Sequence, residues 1–420
     1  MVYQNISGTK GTYLNNSGSP DGKKFRQDRL RTVLLTVLCQ SFQALSLGGI
    51  ALLLPVIRQD LGLNFTQGGS LAAAATIIYA LMQIPAGYLS DRFSPKRLFI
   101  IGILGTTTLT LTFGLVTDYW QALVNQTLSG FFRALLFTPG IALLTGWFPP
   151  GRRATATGLY LIGGTSGSVI FNIIGPLIVA VSDWRISFIS ISSLGIICAF
   201  ILLRFGRESP TMPPRRKGNL LEAWQLFQYR IMWVCGGLQF IRFATMQGIV
   251  YWLPSFLMNE KGLSLQYSGY IIAAQAILIA PSNVLGGYIS DRLKNPILVI
   301  VASLIILGMT AILLVSVHNL VLLIAIIALN AVFLQMYFGP LFAIPVEILG
   351  PRKAGISTGF SNLFANLGGF SATYLLGSLK DYTGVFKYGF YAIAALCFVG
   401  LLFALILSRI RSQQQPSINT

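Results

Sequence analysis

Twelve runs of about twenty mostly apolar residues follow one another from residue 33 almost to the end of the chain. A helix of that length crosses a hydrocarbon core of about 30 Å, and in lipid only helices and closed barrels satisfy their own backbone hydrogen bonds. With 54% apolar and 10% charged residues, the chain lies outside the usual range of soluble globular proteins. The sequence therefore predicts an all-α membrane protein with twelve transmembrane helices. The predicted spans are 33–54, 69–90, 97–117, 120–146, 154–181, 186–205, 231–257, 266–289, 296–317, 320–346, 354–378 and 387–408.

The positive charge of the chain is distributed unequally between the two sides of the predicted membrane. The formal net charge is +18, and 23 of the 30 Lys and Arg residues lie in the tails and loops of one side. The positive-inside rule then places both termini in the cytoplasm of a protein that is integral to the plasma membrane, such as a bacterial inner membrane. Membrane lipid is the expected surrounding, and the charge is explained without a nucleic-acid partner. The loops of the opposite side hold five basic residues, which are Arg58, Arg185, Lys261, Lys380 and Lys387.

An internal repeat divides the chain in two. A shift of 200 residues aligns 62–92 with 262–292 without a gap, and 12 of these 31 positions are identical, among them Gly69 and Gly269. The segment GYLSDR at Gly87–Arg92 returns as GYISDR at Gly287–Arg292. Apolar composition alone explains matches of Ala and Ile, but it does not explain Ser-Asp-Arg in register. The two parts are therefore related units of one chain.

The position of the repeated motif gives the number of helices in each unit. Both copies end a span on the cytoplasmic side, so an even number of spans separates them, and six fits the length. Units of six spans share one orientation, which leaves a cavity between them near the membrane midplane. The predicted organisation is a disordered cytoplasmic tail (1–32), an N-terminal six-helix half (33–205), a cytoplasmic linker (206–230), a C-terminal six-helix half (231–408) and a second cytoplasmic tail (409–420).

The stretch GYLSDRFSPKR at Gly87–Arg97 resembles the loop signature between helices two and three of the major facilitator superfamily. The resemblance extends to the twelve spans, the two halves, the weaker second motif after helix eight and the basic inner loops. It implies the twelve-helix fold of that superfamily and transport by alternating access. Ser94 stands where the signature usually has a second glycine.

The same resemblance implies a gate on the cytoplasmic side. In similar proteins the motif aspartate faces the first turn of helix eleven, where free backbone N–H groups favour an anion. That contact would join Asp91 to the stretch Lys353–Gly359, and its mirror image would join Asp291 to Arg153–Gly158. Both contacts would have to break for the cavity to open towards the cytoplasm.

The charged residues around these aspartates complete the predicted gate. Arg92 and Arg292 could reach acidic or carbonyl partners, and Glu347 at the inner end of helix ten is one candidate. Lys96 and Arg97 mainly enforce topology. The predicted gating residues are Gly87, Asp91, Arg92, Arg97, Gly287, Asp291, Arg292 and Glu347.

Two arginines lie deep inside predicted spans, where an ionisable residue is a candidate functional group. Arg133 is near the middle of the fourth span and Arg242 near the middle of the seventh, and no Asp, Glu, Lys or His lies equally deep. The planar guanidinium suits a carboxylate or phosphate, so a small anionic substrate is one hypothesis. The alternatives are that an arginine stacks on aromatic rings, binds the carbonyls of a broken helix, or extends towards a helix end.

Neutral polar residues in the spans could complete a substrate site, or could equally serve bonds between helices. We expect substrate contacts from Gln43, Gln239, Asn362 and Asn366 beside the two arginines, with a helical turn joining Asn362 to Asn366. Other candidates of the same kind are Gln40, Asn172, Gln275, Asn330 and Gln335.

Three further segments resemble the organic-anion and cyanate-type uptake branches of the superfamily. They are WFPPGRRATATG at 147–158, DWRISF at 183–188 and YWLPSFL at 251–257. Helix four departs from those branches. Gln126 occupies a position where many members have Arg, and Arg133 one where organic-anion symporters tend to have Glu. Proton coupling through that carboxylate is therefore not expected. Secondary-active or facilitative transport is expected, either as facilitated or exchange transport or with the proton carried by the substrate itself.

No sequence pattern indicates catalysis, a metal or a cofactor. The four cysteines, Cys39, Cys198, Cys235 and Cys397, are scattered through the spans, and no span carries a histidine that could act as a base. We therefore expect a monomeric transporter of a small organic anion, not an enzyme. The alternatives are a drug or metabolite efflux antiporter and a membrane sensor of the same fold that does not transport.

Overall fold

The computed structural model describes residues 20–44, 48–149, 152–210, 228–349 and 354–414. Within these ranges every regular element is a helix, as the sequence predicts, and there are fourteen of them. They are α1 (Pro20–Gln43), α2 (Ile50–Leu61), α3 (Phe65–Arg92), α4 (Pro95–Phe113), α5 (Tyr119–Thr145), α6 (Arg153–Val181), α7 (Trp184–Phe205), α8 (Arg230–Asn259), α9 (Leu265–Leu293), α10 (Pro296–Ser316), α11 (Leu320–Met336), α12 (Phe338–Leu349), α13 (Ala354–Thr383) and α14 (Lys387–Gln414).

The tenth predicted span is divided into two helices, α11 and α12. The first predicted span includes parts of α1 and α2, and residues 45–47 between them lie outside the described part. The interruption in the tenth span is at Tyr337, whose backbone leaves helical geometry (φ −97°, ψ 6°) just before Gly339 and Pro340. Proline has no N–H to give to the preceding turn, so a break before Pro340 is expected. In the described part of the chain, nine helical stretches are long and apolar enough to cross a membrane.

The N-terminal end differs from the sequence prediction. Helix α1 begins at Pro20, whereas the polar composition predicts a disordered tail up to residue 32. The added turns have partners within the first half: the Phe25 ring lies 5.2 Å from that of Trp147, and the Asp28 carboxylate lies 3.6 Å from the Arg207 guanidinium. Long-range contacts of this kind are invisible in local composition. Helix α14 likewise continues to Gln414, beyond the predicted end at 408.

The repeat found in the sequence is also a repeat of local structure. Helices α3 and α9 begin 200 residues apart, and each is capped by the side chain of the preceding residue, Asn64 or Ser264, which accepts a hydrogen bond from a backbone N–H of the first turn. Gly62 and Gly262 precede these caps with φ of +63° and +67°, a conformation that a residue with a side chain rarely adopts. Both motif copies then occupy the last turns of their helices.

The two halves pack against each other through equivalent helices. Helix α3 of the first half lies against α13 of the second, and α9 of the second lies against α6 of the first. Helix α2 completes the junction by packing on α8. Because the same pairs recur on both sides of the junction, the molecule has approximate twofold symmetry about an axis between the halves. The space enclosed by α1, α2, α6, α8 and α9 is where a cavity forms.

Candidate substrate cavity and gates

A cavity lies between the two halves, where the repeat predicts one. Its volume is about 340 Å³, and its walls come from α2 and α6 of the first half and α8 and α9 of the second, with Gln40 of α1 and Gly48 at its margin. Most of the wall is aliphatic, contributed by residues such as Leu52, Leu161 and Ile272. The volume is within the range of about 300–1,000 Å³ that small-molecule sites occupy.

Arg133 lines a smaller cavity of about 120 Å³. The cavity is lined by Gln40, Gln43, Tyr79, Arg133, Leu136, Phe137 and Tyr160. Gln40 lines both cavities, so the two spaces border on this one residue.

The surroundings of Arg133 leave the guanidinium available to an anion. Its Cζ atom lies 5.6 Å from the centre of the Tyr79 ring, a cation–π contact, while its Nε atom is buried without a hydrogen-bond partner. No carboxylate among the described residues forms an ion pair with it. The side chain as a whole is half-buried, and a partly desolvated cation without a counter-ion is energetically costly, so an anionic ligand would be bound favourably at this position.

The other groups around Arg133 are neutral and polar. Gln40 donates a hydrogen bond of 2.9 Å to Oε1 of Gln43, and this leaves the buried Oε1 of Gln40 unpartnered. The Tyr160 hydroxyl donates to the backbone oxygen of Leu136 at 2.9 Å, which fixes its ring at the wall. The predicted residue Gln43 is thus beside Arg133. Tyr79 and Tyr160 were not among the sequence candidates, because an aromatic residue in the middle of a span carries no distinguishing signal.

The second predicted arginine, Arg242, lies elsewhere. Its side chain is buried, lines neither of these cavities, and donates from Nε to Oε1 of Gln239 at 2.7 Å and from Nη1 to Oε1 of Gln335 at 3.4 Å. The guanidinium also lies 4.8 Å from the centre of the Phe338 ring. It therefore contacts both sides of the break between α11 and α12, next to Tyr337. Of the three alternatives to substrate binding, stacking on aromatic rings describes its present surroundings.

The predicted asparagines are also outside the two cavities. Asn366 is buried and donates to the backbone oxygen of Asn362 one turn earlier at 2.8 Å. The structure therefore brings Gln43 to Arg133, and Gln239 to Arg242, but it does not bring the two arginines to one cavity.

Hydrogen bonds join the two halves at one face of the molecule, which we call the closed face; it carries the first turn of α3 and the last turn of α13. The Asp381 carboxylate accepts bonds from the backbone N–H of Phe65 at 2.9 Å and of Thr66 at 2.6 Å, and from the Thr66 hydroxyl. The Tyr251 hydroxyl donates to the backbone oxygen of Gly68 at 2.7 Å. Asp381 thus acts as an acidic cap on a helix of the opposite half.

Two equivalent glycines allow the halves to touch at the closed face. A Cβ atom added to Gly69 would lie 2.3 Å from the backbone oxygen of Thr373, and one added to Gly269 would lie 2.3 Å from that of Asn172. Both contacts cross between the halves, and the glycines are 200 residues apart in the aligned repeat. The identity of Gly69 and Gly269 in the sequence therefore has a steric reason.

The opposite face, which carries Gly87–Arg92 and Gly287–Arg292, is called the motif face. Asp291 is exposed, and its carboxylate has no hydrogen bond or ion pair to a residue that the structure describes. A Cβ atom at Gly87 or Gly287 would meet nothing within 4 Å. The side chain of Asp91 and the residue Lys353 lie outside the described part. In this conformation Asp291 therefore does not make the predicted contact with described residues of α6.

The remaining predicted gating residues make contacts within their own halves. Arg92 lies 4.3 Å from the centre of the Tyr88 ring, and Arg292 donates to the hydroxyl of Tyr288 at 3.2 Å. Glu347 accepts bonds of 3.0 and 3.3 Å from Arg411 of α14. Arg97 is exposed.

The residue that departs from the loop signature, Ser94, has a clear local function. Its side chain accepts a hydrogen bond from the backbone N–H of Arg97 and so caps α4, while its hydroxyl donates to Glu208. Glu208 also accepts from the backbone N–H of Lys96 at 3.1 Å. The loop is thereby bound to the segment that follows α7, within the same half.

Comparison with known proteins agrees with this architecture. The family model described as Major Facilitator Superfamily matches residues 36–373, which is most of the chain. The chain is 23% identical over 402 residues to the hexuronate transporter of Bacillus subtilis, covering 87% of this chain and 91% of that one. It is 24% identical over 419 residues to the probable sulfoacetate transporter of Cupriavidus necator, covering 92% and 96%.

A solved structure has the same fold. The bacterial homolog of the human lysosomal transporter Spinster, in its inward-facing and unoccupied conformation, superposes with a TM-score of 0.75 over 91% of this chain and 97% of that one, at 19% identity. The twelve-helix, two-half architecture that the sequence predicts is therefore confirmed.

Proposed function

Because the chain belongs to the major facilitator superfamily and is thus an integral membrane transporter and not an enzyme, we propose that it carries a small organic anion, which Arg133 binds. The observation that carries this proposal is the state of Arg133: a residue that lines a cavity, with a buried unpartnered Nε and no acidic partner among the described residues. The names of the relatives support it, because hexuronate and sulfoacetate are both organic anions.

The two faces of the molecule support alternating access as the mechanism. The closed face is held by hydrogen bonds and close backbone contacts between α3 and α13 and by backbone contact between α6 and α9, while Asp291 at the motif face is free of described partners. If both termini are cytoplasmic, as the distribution of basic residues suggests, this conformation is open inwards. The predicted gating residues, including Asp91 and Asp291, would then pair only when the motif face closes.

The absence of a carboxylate deep in the described spans bears on energy coupling. A transporter that co-transports protons usually needs a group inside the membrane that titrates, and Arg133 does not release its proton in the physiological range. We therefore favour facilitated or exchange transport.

Arg242 remains a second candidate for substrate contact, in a different conformation. Its guanidinium is occupied by Gln239 of α8 and Gln335 of α11 here, and its contacts with Gln335 and with Phe338 lie on the two sides of the break between α11 and α12. A movement at the break would release the guanidinium towards the cavity, together with Gln239. Asn362 and Asn366 likewise remain candidates for substrate contact in another conformation, because they lie on α13, which moves when the closed face opens.

The proposal also includes the location, the oligomeric state and the domain organisation of the protein. We place it in the plasma membrane, in bacteria the inner membrane, surrounded by lipid and acting as a monomer. Residues 33–205 and 231–408 form the two moving halves, and 206–230 links them on the cytoplasmic side.

Uptake into proteoliposomes tests the proposed function. Wild-type protein should take up a labelled organic carboxylate, and Arg133→Gln should abolish that uptake, because glutamine keeps the polar character and removes the charge. Arg204→Gln is the matched control, since Arg204 is exposed at the end of α7, where it stacks on Phe205, and it lines neither cavity. Equal uptake by wild type and Arg133→Gln would contradict the proposal.

A further inference from the structure

A second polar group without a hydrogen-bond partner belongs to a residue that lines the larger cavity, on the half opposite to that of Arg133. Gln275 of α9 lines this cavity and is 2% exposed, and its Nε2 atom is buried without a hydrogen-bond partner. An amide N–H₂ is a donor only. A buried donor with no partner is costly, so a ligand that offers an acceptor at this position would be bound favourably.

The rest of the cavity wall offers few partners to a polar ligand. The hydroxyls of Thr165 and Ser168 donate to backbone oxygens of their own helix at 3.2 Å, which leaves them as acceptors. The lining of this cavity contains no charged side chain, and its other polar side chains are Gln40 and Asn172. Aliphatic residues from α2, α6, α8 and α9 form the remainder.

The two cavities together therefore describe the substrate's shape. Gln40 is common to both, so a ligand whose anionic end is at Arg133 can extend past Gln40 towards Gln275. A sugar acid would carry a hydroxyl on nearly every carbon into a mostly aliphatic space, and each one without a partner would lose its hydrogen bonds to water.

We propose, on the basis of the proposed function, that the substrate is a monocarboxylate with a largely aliphatic body and one acceptor oxygen, which binds Arg133 through its carboxylate and Gln275 through that oxygen. Gln275 is then a specificity residue contributed by the second half. A molecule held by Arg133 of α5 and Gln275 of α9 contacts both halves at once, so its binding couples to their relative movement.

Binding to the purified full-length protein tests this inference. The probes are three oxo acids, 4-oxopentanoate, 5-oxohexanoate and 6-oxoheptanoate, with the matched alkanoates pentanoate, hexanoate and heptanoate, and glucuronate as the polyhydroxylated acid. Thermal-shift titration gives an affinity for each. We expect at least one oxo acid to bind about tenfold more tightly than glucuronate and roughly two- to tenfold more tightly than its alkanoate.

Variants separate this inference from the proposed function. Gln275→Leu should remove the preference for the oxo acid and keep alkanoate binding, which also shows that the variant is folded. Gln247→Leu, a buried glutamine of α8 that lines neither cavity, should retain the preference. Arg133→Gln should lose all carboxylate binding.

Four results would overturn the inference; the first two leave the proposed function intact, and the last two do not. If glucuronate binds most tightly and this binding depends on Arg133, the aliphatic substrate is wrong and anion transport stands; an oxo-acid preference that survives in Gln275→Leu likewise removes only the role of Gln275. If no carboxylate binds, or if Arg133→Gln binds as wild type does, the proposed function fails as well.

Discussion

The carboxylate of Asp381, at the end of α13, accepts a 2.6 Å hydrogen bond from the backbone N–H of Thr66, in the first turn of α3. The two residues are 315 positions apart and belong to opposite halves. A negative charge at a helix N-terminus is favourable, so this contact joins the halves where the closed face must open during transport. It is the counterpart of the contact that the sequence predicts for Asp91 at the other face.

Replacement of Asp381 by Asn should weaken the closed face. The bonds to Phe65 and Thr66 lose their charge assistance, and because the contact is exposed to solvent we expect a modest shift of about three- to tenfold towards the open form. The measure is the labelling rate of Ser378→Cys by a membrane-impermeant maleimide, with low background because the four native cysteines are buried. Asp118→Asn is the control, because Asp118 caps α5 within one half. Equal labelling in the two variants would contradict the assignment.

Gly69→Ala and Gly269→Ala should each prevent full closure. The new Cβ atom would lie 2.3 Å from a backbone oxygen of the other half, a distance at which the helices must move apart. Oxidative cross-linking of Thr66→Cys with Ser378→Cys, whose hydroxyl oxygens are 3.4 Å apart, should fall several-fold. Gly87→Ala should leave cross-linking unchanged, because nothing lies within 4 Å of its Cβ position. Loss of cross-linking in all three variants would indicate general misfolding.

Asp291→Asn should favour the present conformation. Since this carboxylate has no described partner here, its replacement removes no described contact from the present state and weakens the state in which the motif face is closed. We expect slower uptake, and faster labelling of cysteines placed at the motif face, for Asp291→Asn and also for Asp91→Asn. Wild-type uptake with unchanged labelling in both would show that these residues do not gate.

Arg242→Ala should destabilise the folded protein. The change leaves the buried Oε1 of Gln239 without its donor and removes packing against Phe338, and hydrogen bonds to a charged group are worth about 1.5–3 kcal/mol each. The thermal midpoint in detergent should fall by several degrees, and less in Arg242→Lys, which keeps the charge. A wild-type midpoint in Arg242→Ala would contradict the structural role that its present contacts indicate.

Uptake should not follow a pH gradient. The described spans hold no deep carboxylate, and a guanidinium stays charged across the physiological range, so no group at Arg133 can exchange a proton with each transport cycle. Proteoliposomes loaded at pH 6 or pH 8 should show equal initial rates of exchange for a fully ionised carboxylate. Accumulation that requires the gradient and disappears with a protonophore would contradict this.

Much of the fold could be predicted from the sequence because lipid imposes a local rule. Each backbone N–H and C=O group must find its hydrogen-bond partner within its own span, so a span can be recognised from about twenty consecutive residues. The predicted span 231–257, for example, corresponds to α8 at Arg230–Asn259. The twofold symmetry could be predicted for the same reason, because the repeat around Gly69 and Gly269 is visible in the order of the residues alone. The turns added to α1 before residue 33 depend on Trp147 and Arg207, which are distant in sequence, and they could not be predicted.

The candidate site was predictable only in part. The sequence by itself predicted that Arg133 and Arg242 are cations near the middle of their spans with no acidic residue at the same depth, because depth in a predicted span follows from position alone. Only the tertiary structure decided that Arg133 lines a cavity while Arg242 contacts Gln239 and Gln335, since the direction of a side chain depends on which helices surround it. Asp381 was unremarkable in sequence for the same reason: an acidic residue at the end of a span becomes a gate only when packing brings the start of α3 to it.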